Sequence, residues 1–309
     1  VLDPYIKSNL KFFVVKVNEA EKKKLPGNFL RPIQIRYSAA RFMLPIRLGM
    51  ANADGDQDLI VYAFTRKGRI ECTNYRNTEM PTGQKIPLFV QQDFQAFYEN
   101  LFTHQWRRER EEVAFLEYAW DVSPQNFMKC DPCIAEAPSV QDLVQSGVWW
   151  LQPDWNDYSD VTDDEAPEYN NRVHFTRLHF RYNRRHFAQD LFFQVTPNTE
   201  NYQARYVITH PAQGRFDCAA GKQYLKDLKQ RRREELRNLT TLTGRDLGTW
   251  RDTGAAGAEE MSGEQELYAA ALRDSPDGED SSSKSVTGLL LLGLTLGGST
   301  VLMRWKGWA

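Results

Sequence analysis

Apolar and polar residues alternate with period two in several short runs of this chain, and that alternation restricts the fold more than any other feature. Ile33-Gln34-Ile35-Arg36-Tyr37 shows it, as does Phe42-Met43-Leu44-Pro45-Ile46-Arg47-Leu48. Successive side chains of a strand point to opposite faces, so such runs suit a sheet with one buried and one solvated face. With Phe12–Val17, Leu59–Thr65 and Arg69–Tyr75, the first 75 residues read as about five strands of an antiparallel meander. Ser38-Ala39-Ala40 and Arg66-Lys67-Gly68 read as hairpin turns, with Gly68 supplying positive φ.

Helices interrupt the strands. Phe94, Phe97, Tyr98 and Leu101 fall at i, i+3, i+4 and i+7 and place four apolar side chains on one stripe. Ser139-Val140-Gln141-Asp142 is a capping-box-like start for a short helix. A longer helix over about 222–242 carries Leu225, Leu228, Leu236, Leu239 and Leu242 and stops at Gly244. Val113–Trp120, Val173–Tyr182, Asp190–Thr196 and Tyr202–Thr209 complete the strand pattern, while 152–171 is polar and acidic and reads as a loop. The expected class is α+β and β-rich, with antiparallel sheets, packed helices and a single hydrophobic helix at the C-terminus. Residues 1–244 form the globular region, with a candidate subdivision near 121–172.

Charge is unevenly distributed. The 309 residues carry a net charge of −2, yet residues 251–309 hold 9 acidic and 5 basic side chains, so the body is slightly basic and the acid excess lies in the tail. Residues 245–284 are rich in Gly, Ala, Ser and acid and read as a flexible linker, because such composition buries too little apolar surface to offset ordering entropy. The tail 285–309 contains Val286–Met303, 18 residues without a charge, followed by Arg304-Trp305-Lys306. As a helix it would rise about 27 Å, near the thickness of a hydrocarbon core. It is expected to span the membrane between Val286 and Met303, or to act as a sorting tail. The basic end places the C-terminus in the cytoplasm and the folded part outside it. The competing reading docks the run on the protein's own core.

Four cysteines and a few clusters carry the candidate chemistry. Cys130-Asp131-Pro132-Cys133 is a CxxC pair with three readings. It forms a structural disulfide, internally or with Cys218; it contributes to a metal site with Cys218 and His210; or it is redox-active. Cys72 sits in a strand pattern and reads as a buried thiol. Arg172–Phe187 interleaves five arginines, three histidines and four aromatic residues, but a strand spreads them over both faces. The upstream acids Asp154, Asp157, Asp160, Asp163, Asp164, Glu165 and Glu168 suit neutralising that surface, so no nucleic-acid partner is expected. Asn52–Asp58 has the oxygen density of a calcium loop but lacks its Gly and Glu positions, and reads as a polar turn between strands. No GxSxG, P-loop, GxGxxG or HExxH pattern occurs, no cofactor is implied, and the reading leans away from an enzyme.

Several ordered motifs together resemble one family. Leu30–Ile35, Phe42–Gly49, Asn52–Gly55, Val61–Arg69, Phe115–Asp121, Cys130–Cys133 and Ala204–Val207 are similar to runs in the uncharacterised bacterial family labelled domain of unknown function 2330. The likeness covers about Leu2 to Gly244. It implies an exported protein with a signal peptide and further N-terminal sequence upstream of Val1, and it transfers no activity. Cys72 stands where the family pattern has a small polar residue. The expected function is thus an extracytoplasmic, membrane-tethered binding or structural module of the bacterial envelope. The alternative is an envelope thiol-redox or metal-dependent protein centred on Cys130 and Cys133.

Overall fold

The computed structural model describes residues 2–12, single positions between 14 and 35, residues 42–124 apart from 52 and 54, then 137–151, 171–245, 288–296 and 299–307. The chain divides into two compact units, each built from separated segments. Unit 1 comprises 1–79, 111–203 and 285–309; unit 2 comprises 80–110 and 204–284.

Unit 1 contains a mixed eight-stranded sheet. Its centre is β3 (Gln57–Thr65), β8 (His174–Tyr182) and β7 (Val113–Asp121), all antiparallel, with β8 between the other two. The smaller strands are β1 (Ile33–Gln34), β2 (Phe42–Leu44), β4 (Ile70–Cys72), β5 (Arg76–Glu79), β9 (Leu191–Val195) and β10 (Tyr202–Gln203). β10 pairs with β7 antiparallel, whereas β5 pairs with β7 in parallel. β2 and β4 flank β9 in a separate three-stranded sheet.

The expected meander is therefore not formed. β3 takes its partners from distant sequence, and β4 belongs to the other sheet. The reason is burial: Leu59, Val61 and Ala63 alternate onto the face shared with Leu116, Leu178 and Phe180, and that face must be covered. The small sheet supplies Leu44, Ile70, Leu191 and Phe193 to the same core, along with Phe187 from the preceding loop. Each such side chain removed from water contributes about 1.5–3 kcal/mol.

Two local expectations also change. The run Phe42–Leu48 is strand only to Leu44; Pro45 caps a one-turn helix, α2 (Ile46–Gly49), which follows α1 (Asp3–Lys7) in chain order. Of the run Asn52–Asp58, Gln57 and Asp58 already belong to β3, and the element described before it is the helix α2 rather than a strand. Gly68 is not among the positive-φ glycines. Its constraint is space: a Cβ there would lie 2.5 Å from the Asn198 carbonyl oxygen and 2.6 Å from that of Thr196.

The hydrophobic run near the C-terminus is a second correction. Instead of one helix over 286–303, it contains β12 (Gly288–Leu296) and β13 (Ser299–Gly307), paired antiparallel, with β13 against β3 and β1 parallel to β12. A short apolar run does not distinguish helix from buried strand, and Gly297-Gly298 between the two is a hairpin signal. No helix among the described residues is long and apolar enough to cross a membrane.

Unit 2 pairs α3 (Phe94–Arg108) with α5 (Ala219–Thr243), and α5 with β6 (Lys85–Ile86), which runs parallel to β11 (Val207–Ile208). Asp93 caps α3 by accepting from Ala96 N at 3.0 Å. Its buried stripe is Phe97, Leu101, Phe102 and Trp106, leaving Phe94 exposed. α5 buries Leu228, Leu236, Leu239 and Leu242 but not Leu225. Gly244 ends it as expected, at φ 67°, and a Cβ there would strike the His104 ring. In unit 1, α4 (Val140–Gln145) begins with the anticipated capping box of Ser139 and Asp142.

Candidate functional site

The large sheet of unit 1 turns opposite chemistry to its two faces. Away from the small sheet, Asp58 on β3, Glu117 on β7, and Arg177, His179 and Arg181 on β8 form a continuous chain of charge. Asp58 accepts from Arg181 through both oxygens, at 2.7 Å from Nε and 2.9 Å from Nη2. His179 Nδ1 lies 2.8 Å from Glu117 Oε1, and its Nε2 lies 3.5 Å from Asp58 Oδ1. Arg177 Nε stands 2.7 Å from Glu117 Oε2, an ion pair by distance.

A β-bulge places Glu117. Leu116 opposes Leu178 and Tyr118 opposes Arg177, so Glu117 is an extra residue on β7. Bulges re-aim side chains, and this one brings a carboxylate between Arg177 and His179. Arg177, His179 and Arg181 share a face because they are spaced by two along β8.

Burial and partners oppose each other here. Burial disfavours a charged His179, yet the Glu117 charge and the hydrogen bonds to Asp58 and Glu117 prevail and raise its pKa. Burial likewise disfavours a charged Asp58, but the hydrogen bonds from His179 and Arg181 hold its carboxyl well below the usual range. The chain therefore uses its own charges to satisfy one another. Removing one partner would strand the others in a poorly solvated place.

The other end of β8 differs. A solvent-open groove of about 310 Å³ is lined by Arg66, Lys67, Asp121, Ser123, Arg172, Val173, His174, Thr199 and Asn201. His174 is 3% exposed, and neither ring nitrogen meets a partner in hydrogen-bonding geometry. Burial lowers its pKa to about 4, against the charge of Asp121 and the Thr199 backbone. Asp121 Oδ1 accepts from the Ser123 backbone N–H at 2.9 Å and from the Ser123 hydroxyl, which in turn accepts from Val173 N at 2.9 Å. Arg66 lies over the rings of Trp149 and Trp150.

A family model described as an uncharacterised protein conserved in bacteria, domain of unknown function 2330, matches residues 1–194. The chain belongs to this family. The match to domain of unknown function 2330 ends within β9, short of the Gly244 reached by motif likeness, and includes every residue of the charge chain. The groove residues from Arg66 to His174 also lie inside the family match. No curated protein and no solved structure matches this family member.

The residues singled out from sequence are placed as follows. Cys130 and Cys133 lie outside the described residues, as do the acids from Asp154 to Glu168. Cys72 is a free, buried thiol whose pKa burial raises. Cys218 is free and exposed, and its sulfur caps α5 by accepting from Gly221 N at 3.3 Å. His210 is exposed. Among the described residues, no group of three or more His, Cys, Asp or Glu side chains is arranged to hold a metal ion.

Arg177 and Arg181 find their acids on the neighbouring strands. In the would-be calcium loop, Asp58 faces Arg181 and Asp56 accepts from Asn183 Nδ2 at 2.7 Å. Sequence reasoning passed over Asp58, Glu117 and His174 as a set. The available signal was a lone carboxylate inside the apolar run Val113–Trp120.

Proposed function

We propose that this protein is a ligand-binding module of the bacterial envelope, with its folded part outside the cytoplasmic membrane. The groove beside His174 carries the binding part of this reading, because it is an opening of small-molecule size lined by charged and polar side chains. The charge chain supports binding over catalysis: its acids and bases are committed to one another across three strands.

The envelope part is supported by bacterial family membership and by the uncharged run 286–303 with Arg304 and Lys306 after it. Pairing of that run with β3 favours its use as sheet, so a helical tether is not part of the proposal. Protease treatment of intact cells and spheroplasts should digest the folded part, and protection behind the cytoplasmic membrane would overturn the location. Alkaline extraction separates the two dispositions of the run: release expresses a strand in the sheet, retention a membrane partner.

With Cys72 buried and Cys218 free, the disulfide in this reading joins Cys130 to Cys133. Intact mass after alkylation, with and without reduction, tests it. A pair that alkylates fully without reduction would favour the thiol-redox or metal alternative.

A further inference from the structure

The outward face of α5 carries a second surface, in unit 2 and beyond the residues of the family match, separate from the groove. Lys222, Lys226, Lys229, Arg233 and Arg237 follow one another at steps of three or four residues and form one stripe about 22 Å long. All five are exposed. None of them makes an ion pair with a described residue. The remaining cations of α5 are engaged by the protein: Arg231 Nε stands 3.6 Å from the buried Glu235, and Arg232 is buried and partnered. The exposed acids Asp227 and Glu234 lie on one flank, where only Arg237 is three or four residues from either.

Helix stability does not explain this placement. Like charges three or four residues apart repel and destabilise a helix. The macrodipole favours acids at the start and bases at the end, yet α5 has no acid in its first turn and no base in its last. Leu225 is set into the same row, 42% exposed and within four residues of Lys222, Lys226 and Lys229. A partner that supplies both negative charge and an apolar layer would offset the repulsion and cover the leucine.

Those two requirements describe an anionic lipid surface. Its phosphate groups meet the cations while its acyl boundary receives the leucine. A flat bilayer touches all five positions of a convex helix face together, and flexible lysine stems let their charges follow mobile headgroups. A nucleic-acid strand fits less well, since the stripe is not a groove and carries no aromatic side chain for bases to stack on. We infer that α5 docks side-on against an anionic phospholipid bilayer, its basic stripe along the headgroup phosphates and Leu225 toward the acyl chains.

The test is sedimentation of the full chain with vesicles of phosphatidylcholine alone, and of phosphatidylcholine and phosphatidylglycerol in equal parts. The chain should bind the anionic vesicles and not the neutral ones. Salt at about 1 M, where the screening length falls to about 3 Å, should release it. Lys226→Gln combined with Lys229→Gln should weaken binding about 25-fold, about fivefold for each charge. Lys11→Gln combined with Lys16→Gln removes the same charge from exposed positions of unit 1 and should leave binding unchanged. Thermal unfolding of the Lys226 and Lys229 double variant gives an independent readout: its midpoint should hold or rise, because a repulsion is removed. A lowered midpoint would show the stripe already neutralised within the protein and would overturn the inference. Equal binding to both vesicle types, no binding to the anionic ones, or equal losses from the two lysine pairs would overturn it as well. So would binding of a single-stranded oligonucleotide in place of the anionic vesicles.

Discussion

His179 and His174 are buried on one strand, five residues apart, and their environments drive them in opposite directions. His179 faces two carboxylates and is held toward its charged form; His174, on the other face, is held neutral near a pKa of about 4. Burial is common to both, so burial does not decide the charge. The partners supplied by neighbouring strands do: β3 and β7 bring Asp58 and Glu117 to one ring, while the other is left to the groove.

The largest effect should come from breaking the paired side. Asp58→Ala leaves Arg181 buried without its acid and His179 with Glu117 alone, and urea unfolding should show a loss of about 3–5 kcal/mol. If the change costs less than about 1 kcal/mol, water rather than Asp58 is satisfying Arg181.

A pH series on stability sharpens the contrast next, because the two rings give opposite limbs. His174 has a lowered folded pKa, so the unfolded chain binds the extra proton. Stability should fall as pH drops from about 6.5 to about 4, by roughly 3 kcal/mol in total, and His174→Phe should remove that limb. His179 has a raised folded pKa, so its contribution is complete below its unfolded value and is lost as pH rises through the folded one. His179→Gln should flatten that upper limb. Asp58 adds an acid limb in a separate, lower window, below the normal carboxyl range. A single shared limb in wild type would collapse the comparison.

Two smaller changes probe the surroundings. Gly68→Ala forces a Cβ against the Thr196 and Asn198 carbonyls, beside the Thr199 end of the groove, and should cost about 1–3 kcal/mol in thermal or urea unfolding. Glu111→Gln removes the partner of His186, 2.8 Å away in a pair about a third exposed. It should cost only about 0.2–1 kcal/mol, making it the exposed control for the two buried histidines.

Much of the local structure was legible because it depends on nearest neighbours in sequence. The Ser139–Asp142 capping box, the stop at Gly244 and the period-two face of Arg177, His179 and Arg181 all follow from local geometry. The candidate sites were less legible. Glu117 reaches His179 only because of a bulge, and the groove joins β7, β8 and two loops separated by more than 70 residues. No periodicity marks either event.

The sequence by itself determined that this chain would be β-rich, that α5 would end at Gly244, and that an uncharged run would close its C-terminal region. It also carried the family likeness that the match over residues 1–194 bears out. Tertiary structure decided which strands meet, and therefore which charges meet. β3 pairs with β8 and β13 instead of its sequence neighbour, the uncharged run becomes two strands, and one histidine gains two acids while the other faces a groove. The physical reason is that strand pairing is set by burying a whole apolar face, a long-range requirement, whereas caps and turns are satisfied within a few residues.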